Sequence, residues 1–253
     1  MYYHMKRSNA NQQEETMKLH FLGNGSAFNP LSGNTAAYIK EGDRLFLLDC
    51  GENIFSRLIN KHVLDGIHEV YTAISHTHSD HFGSLGTLIS YCYYSLKFKL
   101  KLVVPSSEPE YCEHIHTLLL LLSVSDNTYT IVPDNHIEGF NSFRSFAYIR
   151  TIHSADCLCY SFLFETDAGG VFYSADTSVT EQLSAFLNDH PSPEALYVET
   201  ALADYPGSIH LPLARLAAVV PAGLRKKIFL MHLDSDECAE KGRALGFNVS
   251  HVE

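Results

Sequence analysis

The chain has 253 residues, 45% hydrophobic and 19% charged, a composition too apolar for disorder and sized for one large domain rather than two. Eighteen Lys and Arg against 29 Asp and Glu leave a formal charge of −11, which repels polyanions and lacks the broad basic surface that nucleic-acid binding uses. The longest purely aliphatic run, Leu118–Leu122, is far too short to span a bilayer.

Residues 1–16 are polar, without the apolar stretch or small-residue cleavage site of a signal peptide. They read as a disordered extension ahead of a single domain over 17–253. The pattern then predicts short strands at Leu19–Leu22, Ala36–Ile39 and Arg44–Leu48, punctuated by Gly23, Gly25, Gly33 and Gly42. A helix over Asn53–Lys61 precedes a strand at Glu69–Ser75, which runs directly into a histidine cluster. Next come a predicted helix over Phe82–Tyr94, a strand at Lys101–Val104, and a helix capped by Ser107 that runs to Leu122, with Leu118–Leu122 in the core. Strands are predicted at Thr128–Val132, Phe143–Arg150, Leu158–Glu165 and Val171–Ser174, the last two joined by an Asp167-Ala-Gly-Gly170 turn. The remainder alternates: helix Val179–Asn188, strand Ala195–Val198, helix Leu211–Val220, strand Lys227–Met231, a helix capped by Ser235 and ending at Gly246, and a strand near Phe247–Ser250. Two blocks, each of strands giving way to alternating helices, predict two sheets packed together with helices outside.

The six cysteines (Cys50, Cys92, Cys112, Cys157, Cys159 and Cys238) form no C-x-x-C and read as reduced, mostly buried thiols of a cytoplasmic protein. His114 and His116, two apart in a helix, face different ways and read as surface residues. The sharp signal is His76-Thr-His78-Ser-Asp80-His81, placed where a strand ends. In extended backbone, residues two apart point the same way, so His76 and His78 can reach one ion. Asp80 and His81, as the chain turns into a helix, can face a neighbouring one. Imidazole with carboxylate suits zinc, and also manganese or iron.

HTHSDH matches the H-x-H-x-D-H motif of the metallo-β-lactamase fold superfamily, and the chain resembles that superfamily from Leu19 almost to its end. The resemblance implies an αββα sandwich of the α/β class with a binuclear metal site at one edge of the sheets. It makes His153 the third histidine of the first ion, Asp176 the bridging aspartate and His232 the last histidine of the second, beside Asp80 and His81. Asp176 stands where the zinc β-lactamases commonly use Cys, and His153-Ser-Ala-Asp lacks the H-T-P-G-H of glyoxalase II and many lactonases. The phrases LGNGSAF, LLDCGEN and SADTS are similar to the RNase Z and cyclic phosphodiesterase branch. That branch carries one more histidine, here His210, with Glu199 as its carboxylate partner.

The implied activity is hydrolysis of a small phosphodiester or nucleotide, cyclic ones included, with two divalent ions, zinc first. Asp80 would also orient the nucleophile, and His210 would assist the leaving group. The long arm with which RNase Z grips tRNA often lies between the third histidine and the bridging aspartate, here only 23 positions apart (176 − 153). With the −11 charge, this argues against large RNA as substrate. Three alternatives stay open: tRNA 3′ processing, a lactonase or thioesterase on the same site, and a non-catalytic binding member. RNase Z-like proteins are often dimers, which leaves a homodimer open.

Overall fold

Short apolar segments between tight turns pair in chain order. In the computed structural model of the protein, which describes residues 17–252, the first sheet holds β1 (His20–Gly23), β2 (Ala36–Glu41), β3 (Arg44–Leu48), β4 (Glu69–Ala73), β5 (Leu100–Val104) and β6 (Tyr129–Pro133) in that order. The second runs β7 (Ser145–Thr151), β8 (Cys159–Glu165), β9 (Gly170–Tyr173), β10 (Ala195–Glu199), β11 (Ile228–Met231) and β12 (Asn248–Val249), again each beside the next. In both sheets the first two pairings are antiparallel and the other three parallel. Parallel neighbours need crossover connections. The first sheet has α1 (Ile54–Asn60), α2 (Ser79–Phe82), α3 (Leu85–Tyr91) and α4 (Pro109–Leu121); the second has α5 (Glu181–Asp189), α6 (Leu213–Val219) and α7 (Asp236–Ala244).

The two sheets meet through aromatic side chains. Phe46 of β3 lies 5.0 Å from the ring of Phe146 and 5.9 Å from that of Phe164, on β7 and β8. Phe21 of β1 reaches Tyr197 of β10 at 5.4 Å. This core continues to the helices of the first half through Ile54, Leu58, Leu85, Leu88, Tyr111, Ile115 and Leu119. A second cluster covers the other face of the second sheet, where Leu196, Val198 and Leu230 meet Leu183, Phe186, Leu216 and Cys238 of α5, α6 and α7. The sum is helix, sheet, sheet, helix. The extension expected over residues 1–16 lies outside the described residues.

Three local expectations are corrected. The helix expected over Phe82–Tyr94 is two helices, α2 and α3, followed by a π turn at Cys92–Leu96. Between the two, a Cβ on Gly83 would come within 2.5 Å of the Ser79 carbonyl, an approach only glycine permits. The cap of α4 is Glu108 rather than Ser107, with Pro109 opening the helix and no side-chain cap bond. Of the Leu118–Leu122 run only Leu119 is buried, because α4 presents Tyr111, Ile115 and Leu119, spaced four apart, to the sheet, and Leu121 is 76% exposed. His116 is half-buried, its Nδ1 2.8 Å from the Tyr129 hydroxyl. Ser235 does cap α7, its hydroxyl accepting from the Cys238 amide.

Candidate metal centre

The chemistry-bearing residues gather where strands end. His76, His78, Asp80 and His81 follow β4, His153 follows β7, Asp176 follows β9, Glu199 closes β10 and His232 follows β11. These are carboxyl ends of strands running the same way, the edge at which α/β sheets present ligand sites. Asp49, after β3, lies at the same edge. Asp49, Ala175 and His232 hold left-handed backbone (φ 65°, 47° and 55°), so the chain turns sharply as each strand delivers its residue. Gly51 lets the segment after Asp49 pass directly against the Asp80 carbonyl, where a Cβ would collide.

Two groups of donor atoms form. His78 Nδ1 lies 3.1 Å from His76 Nε2 and 3.2 Å from His153 Nε2. Across from them, His232 Nε2 lies 3.2 Å and His81 Nε2 3.3 Å from Asp80 Oδ2. Asp176 stands between the groups, Oδ1 3.2 Å from His81 and Oδ2 3.4 Å from His232, 3.6 Å from His153 and 3.9 Å from His76. Within each group the donor atoms all lie within 4.8 Å of one another. The seven residues singled out in the sequence as ligands are therefore brought together, from loops as far apart as residues 76 and 232.

A layer of partners fixes the rings. His76 Nδ1 meets the Ser75 hydroxyl at 3.0 Å, and His153 Nδ1 donates to the Ile209 carbonyl at 2.7 Å. His81 Nδ1 meets Asp49 Oδ2 at 2.9 Å, while both carboxylate oxygens of Asp49 also accept from Ser75. Such outer partners set which nitrogen of an imidazole faces a metal. His210 Nδ1 lies 2.8 Å from Glu199 Oε2, and Glu199 also reaches His232 Nδ1 at 3.5 Å. Glu199 is fully buried and takes the Thr177 amide on its other oxygen.

Does this set fit a cation? Asp49, Asp80, Asp176 and Glu199 are all buried, and among the described residues none has a Lys or Arg within ion-pair distance. Clustered buried carboxylates are costly unless positive charge compensates them, and here only imidazole rings stand beside them. His81 Nε2 and Asp176 Oδ1 are buried with no hydrogen-bond partner although they face each other. Divalent cations satisfy both conditions, and the His and Asp donors suit them. The same charge density governs titration. Burial works against the ionised form of Asp176, but the His232 and His81 rings outweigh it and hold that carboxyl well below its ordinary range. Burial likewise opposes the charge on His210, and the bond to Glu199 overcomes it, raising its pKa.

Asp49 is the residue that reading for ligands passed over. Its signal lies in LFLLDC, an acidic side chain directly after a fully buried aliphatic strand, where a carboxylate needs a specific partner. His114, in contrast, stays away from the site on α4.

Comparison with known proteins bears on the family and the fold. Residues 17–249 match the family model described as Anti-Pycsar protein Apyc1. A protein of that name from Bacillus phage 010DV004 is 27% identical over 247 residues, covering 86% of this chain and 89% of the relative. Among solved structures, the metallo-β-lactamase fold protein YhfI from Bacillus subtilis superposes with a TM-score of 0.67 at 18% identity, over 91% of this chain and 94% of its own. Human tRNase Z, short form, superposes at 0.63 and 17% identity, over 94% and 96%. The fold is that of the metallo-β-lactamase superfamily, as the HTHSDH motif implied.

Proposed function

This chain belongs to the Anti-Pycsar protein Apyc1 family, and from that premise we propose that it is a metal-dependent phosphodiesterase acting on a small phosphodiester, nucleotide-like and cyclic ones included. The catalytic unit is residues 17–253. His76, His78 and His153 would hold one divalent ion and Asp80, His81 and His232 a second, with Asp176 between the two sets; zinc suits these donors first, with manganese or iron as alternatives. Bound there, divalent ions acidify a water and neutralise charge on phosphoryl oxygens.

The observation that carries the reading is the His210–Glu199 pair. Glu199 accepts from Nδ1 of His210, which orients the ring and leaves Nε2 to carry a proton for a departing alkoxide. His210 Nδ1 is 3.8 Å from Asp176, so the ring stands beside the ligand cluster. Asp80, besides its place in the donor set, can orient an attacking water. Substrate size follows from surroundings: the stretch from His153 to Asp176 is filled by the β8–β9 hairpin, and the chain carries a charge of −11. Both disfavour a long phosphate backbone. Six unpaired thiols support a reducing, cytoplasmic setting.

Hydrolysis of bis(p-nitrophenyl) phosphate by metal-loaded wild type and His210→Ala, with metal content measured on both, tests the proposal. The variant is expected to keep its metal and lose about 10²- to 10⁴-fold in turnover. Full turnover in the variant removes His210 from catalysis. Turnover confined to lactones or thioesters overturns the phosphodiester assignment.

A further inference from the structure

The turn leading into β8 carries a C-x-C pair that no part of the proposed chemistry uses. The sulfurs of Cys157 and Cys159 lie 3.1 Å apart, and they are the sole thiol pair in contact among the described residues. Cys157 is half-buried and Cys159 buried, so solvent reaches the outer thiol and not the inner one. Cys157 Sγ also lies 3.9 Å from Nε2 of His78, the ring nitrogen facing away from the ligand cluster. The outer nitrogens of His76, His81, His153 and His232 meet oxygens of Ser75, Asp49, Ile209 and Glu199. For His78, sulfur takes that place. The other thiols offer no such arrangement: Cys50, Cys92 and Cys238 are buried, which pushes each up to about 12, and Cys112 stands half-buried on α4.

We propose that Cys157 and Cys159 are a peroxide-oxidisable dithiol whose closure to a disulfide withdraws the sulfur partner from His78. The Cys157 sulfur displaces hydroxide from hydrogen peroxide; an S–O bond forms as the O–O bond breaks, giving a sulfenic acid. The Cys159 sulfur then attacks the Cys157 sulfur, the S–S bond forms, the S–O bond breaks, and water leaves with the Cys159 proton. In sum the dithiol loses two electrons and two protons, and the peroxide is reduced to two waters. Closure needs little movement, because the bend that carries Cys157 into β8 already brings the two sulfurs to 3.1 Å, about 1 Å more than a disulfide bond.

The oxidation stands apart from the metal reading; its effect on His78 rests on it. The first measurement therefore uses metal-free wild type, treated with hydrogen peroxide and then alkylated and peptide-mapped. The expected product is a Cys157–Cys159 bridge, about 2 Da lighter than the dithiol, formed at least about tenfold faster than any modification of Cys112. Cys159→Ser should instead accumulate an oxygen adduct at Cys157. Oxidation of Cys112 ahead of the pair, or no bridge in wild type, overturns the proposal without touching the phosphodiesterase assignment. The second measurement is chelator competition on zinc-loaded protein. Peroxide treatment is expected to weaken zinc retention about tenfold in wild type, and to leave the Cys157→Ser/Cys159→Ser variant unchanged. A bridge that forms with no change in zinc retention removes the link to His78.

Discussion

The two sheets share a plan and deliver their functional residues in opposite ways. Each begins with two antiparallel pairings and continues with three parallel ones. The first half sends His76, His78, Asp80 and His81 into the site from the single stretch after β4, two from the loop and two from α2. The second spends one strand end per residue, placing His153, Asp176, Glu199 and His232 after or at the ends of four different strands. A loop can carry a dense motif because six residues of chain are enough to bring four side chains together. A distributed set is held only by the register of a whole sheet. The concentrated half should therefore tolerate sheet-level disturbance better, and the distributed half should tie ligand geometry to packing.

Several substitutions break or sharpen that contrast. Asp176→Asn removes the one carboxylate that touches both donor groups, so it should empty the site of metal and lower kcat/KM by more than about 10³-fold; metal analysis beside turnover checks it. Phe46→Ala opens the seam between the sheets and should cost about 3–5 kcal/mol in denaturant unfolding, since its ring is fully buried against Phe146 and Phe164. If the distributed half depends on packing as argued, metal affinity falls with it. Asp49→Asn leaves every ligand in place while weakening the hold on His81, and about a 10- to 100-fold loss of metal affinity in chelator competition is expected. An unchanged affinity there would mean that the loop orients His81 unaided.

The same contrast explains what could be read from sequence. The stretch after β4 is legible because extended spacing puts His76 and His78 on one side and the turn into a helix adds Asp80 and His81 close by. His153, Asp176 and His232 are ordinary residues at ordinary strand ends until the resemblance orders them, since nothing local to HSAD, SADTS or MHLD fixes their distance from residue 76. Asp49 is harder still: it buttresses His81 and is not itself in the donor groups, and only that contact reveals it. Local periodicity also misled. Five consecutive leucines, which close α4 and take in the residue after it, look like core, yet a helix can turn only one face to the sheet, and Leu120, Leu121 and Leu122 are exposed. Nor does sequence periodicity mark the break at Gly83, which answers to a neighbouring backbone rather than to its own segment.

A site assembled from both halves makes occupancy and folding one equilibrium. His76 and His78 come from one sheet and His153 from the other, so a cation shared among them would add a further link between halves that already meet through core packing and hydrogen bonds such as that from the Tyr148 hydroxyl to the Val103 carbonyl. By mass action, ligand at about a hundred times its dissociation constant adds roughly 2.7 kcal/mol to the native state and nothing to the unfolded chain. A chelator titration followed by thermal melting would then read the midpoint falling in step with metal loss, with the inter-sheet seam the first place to loosen.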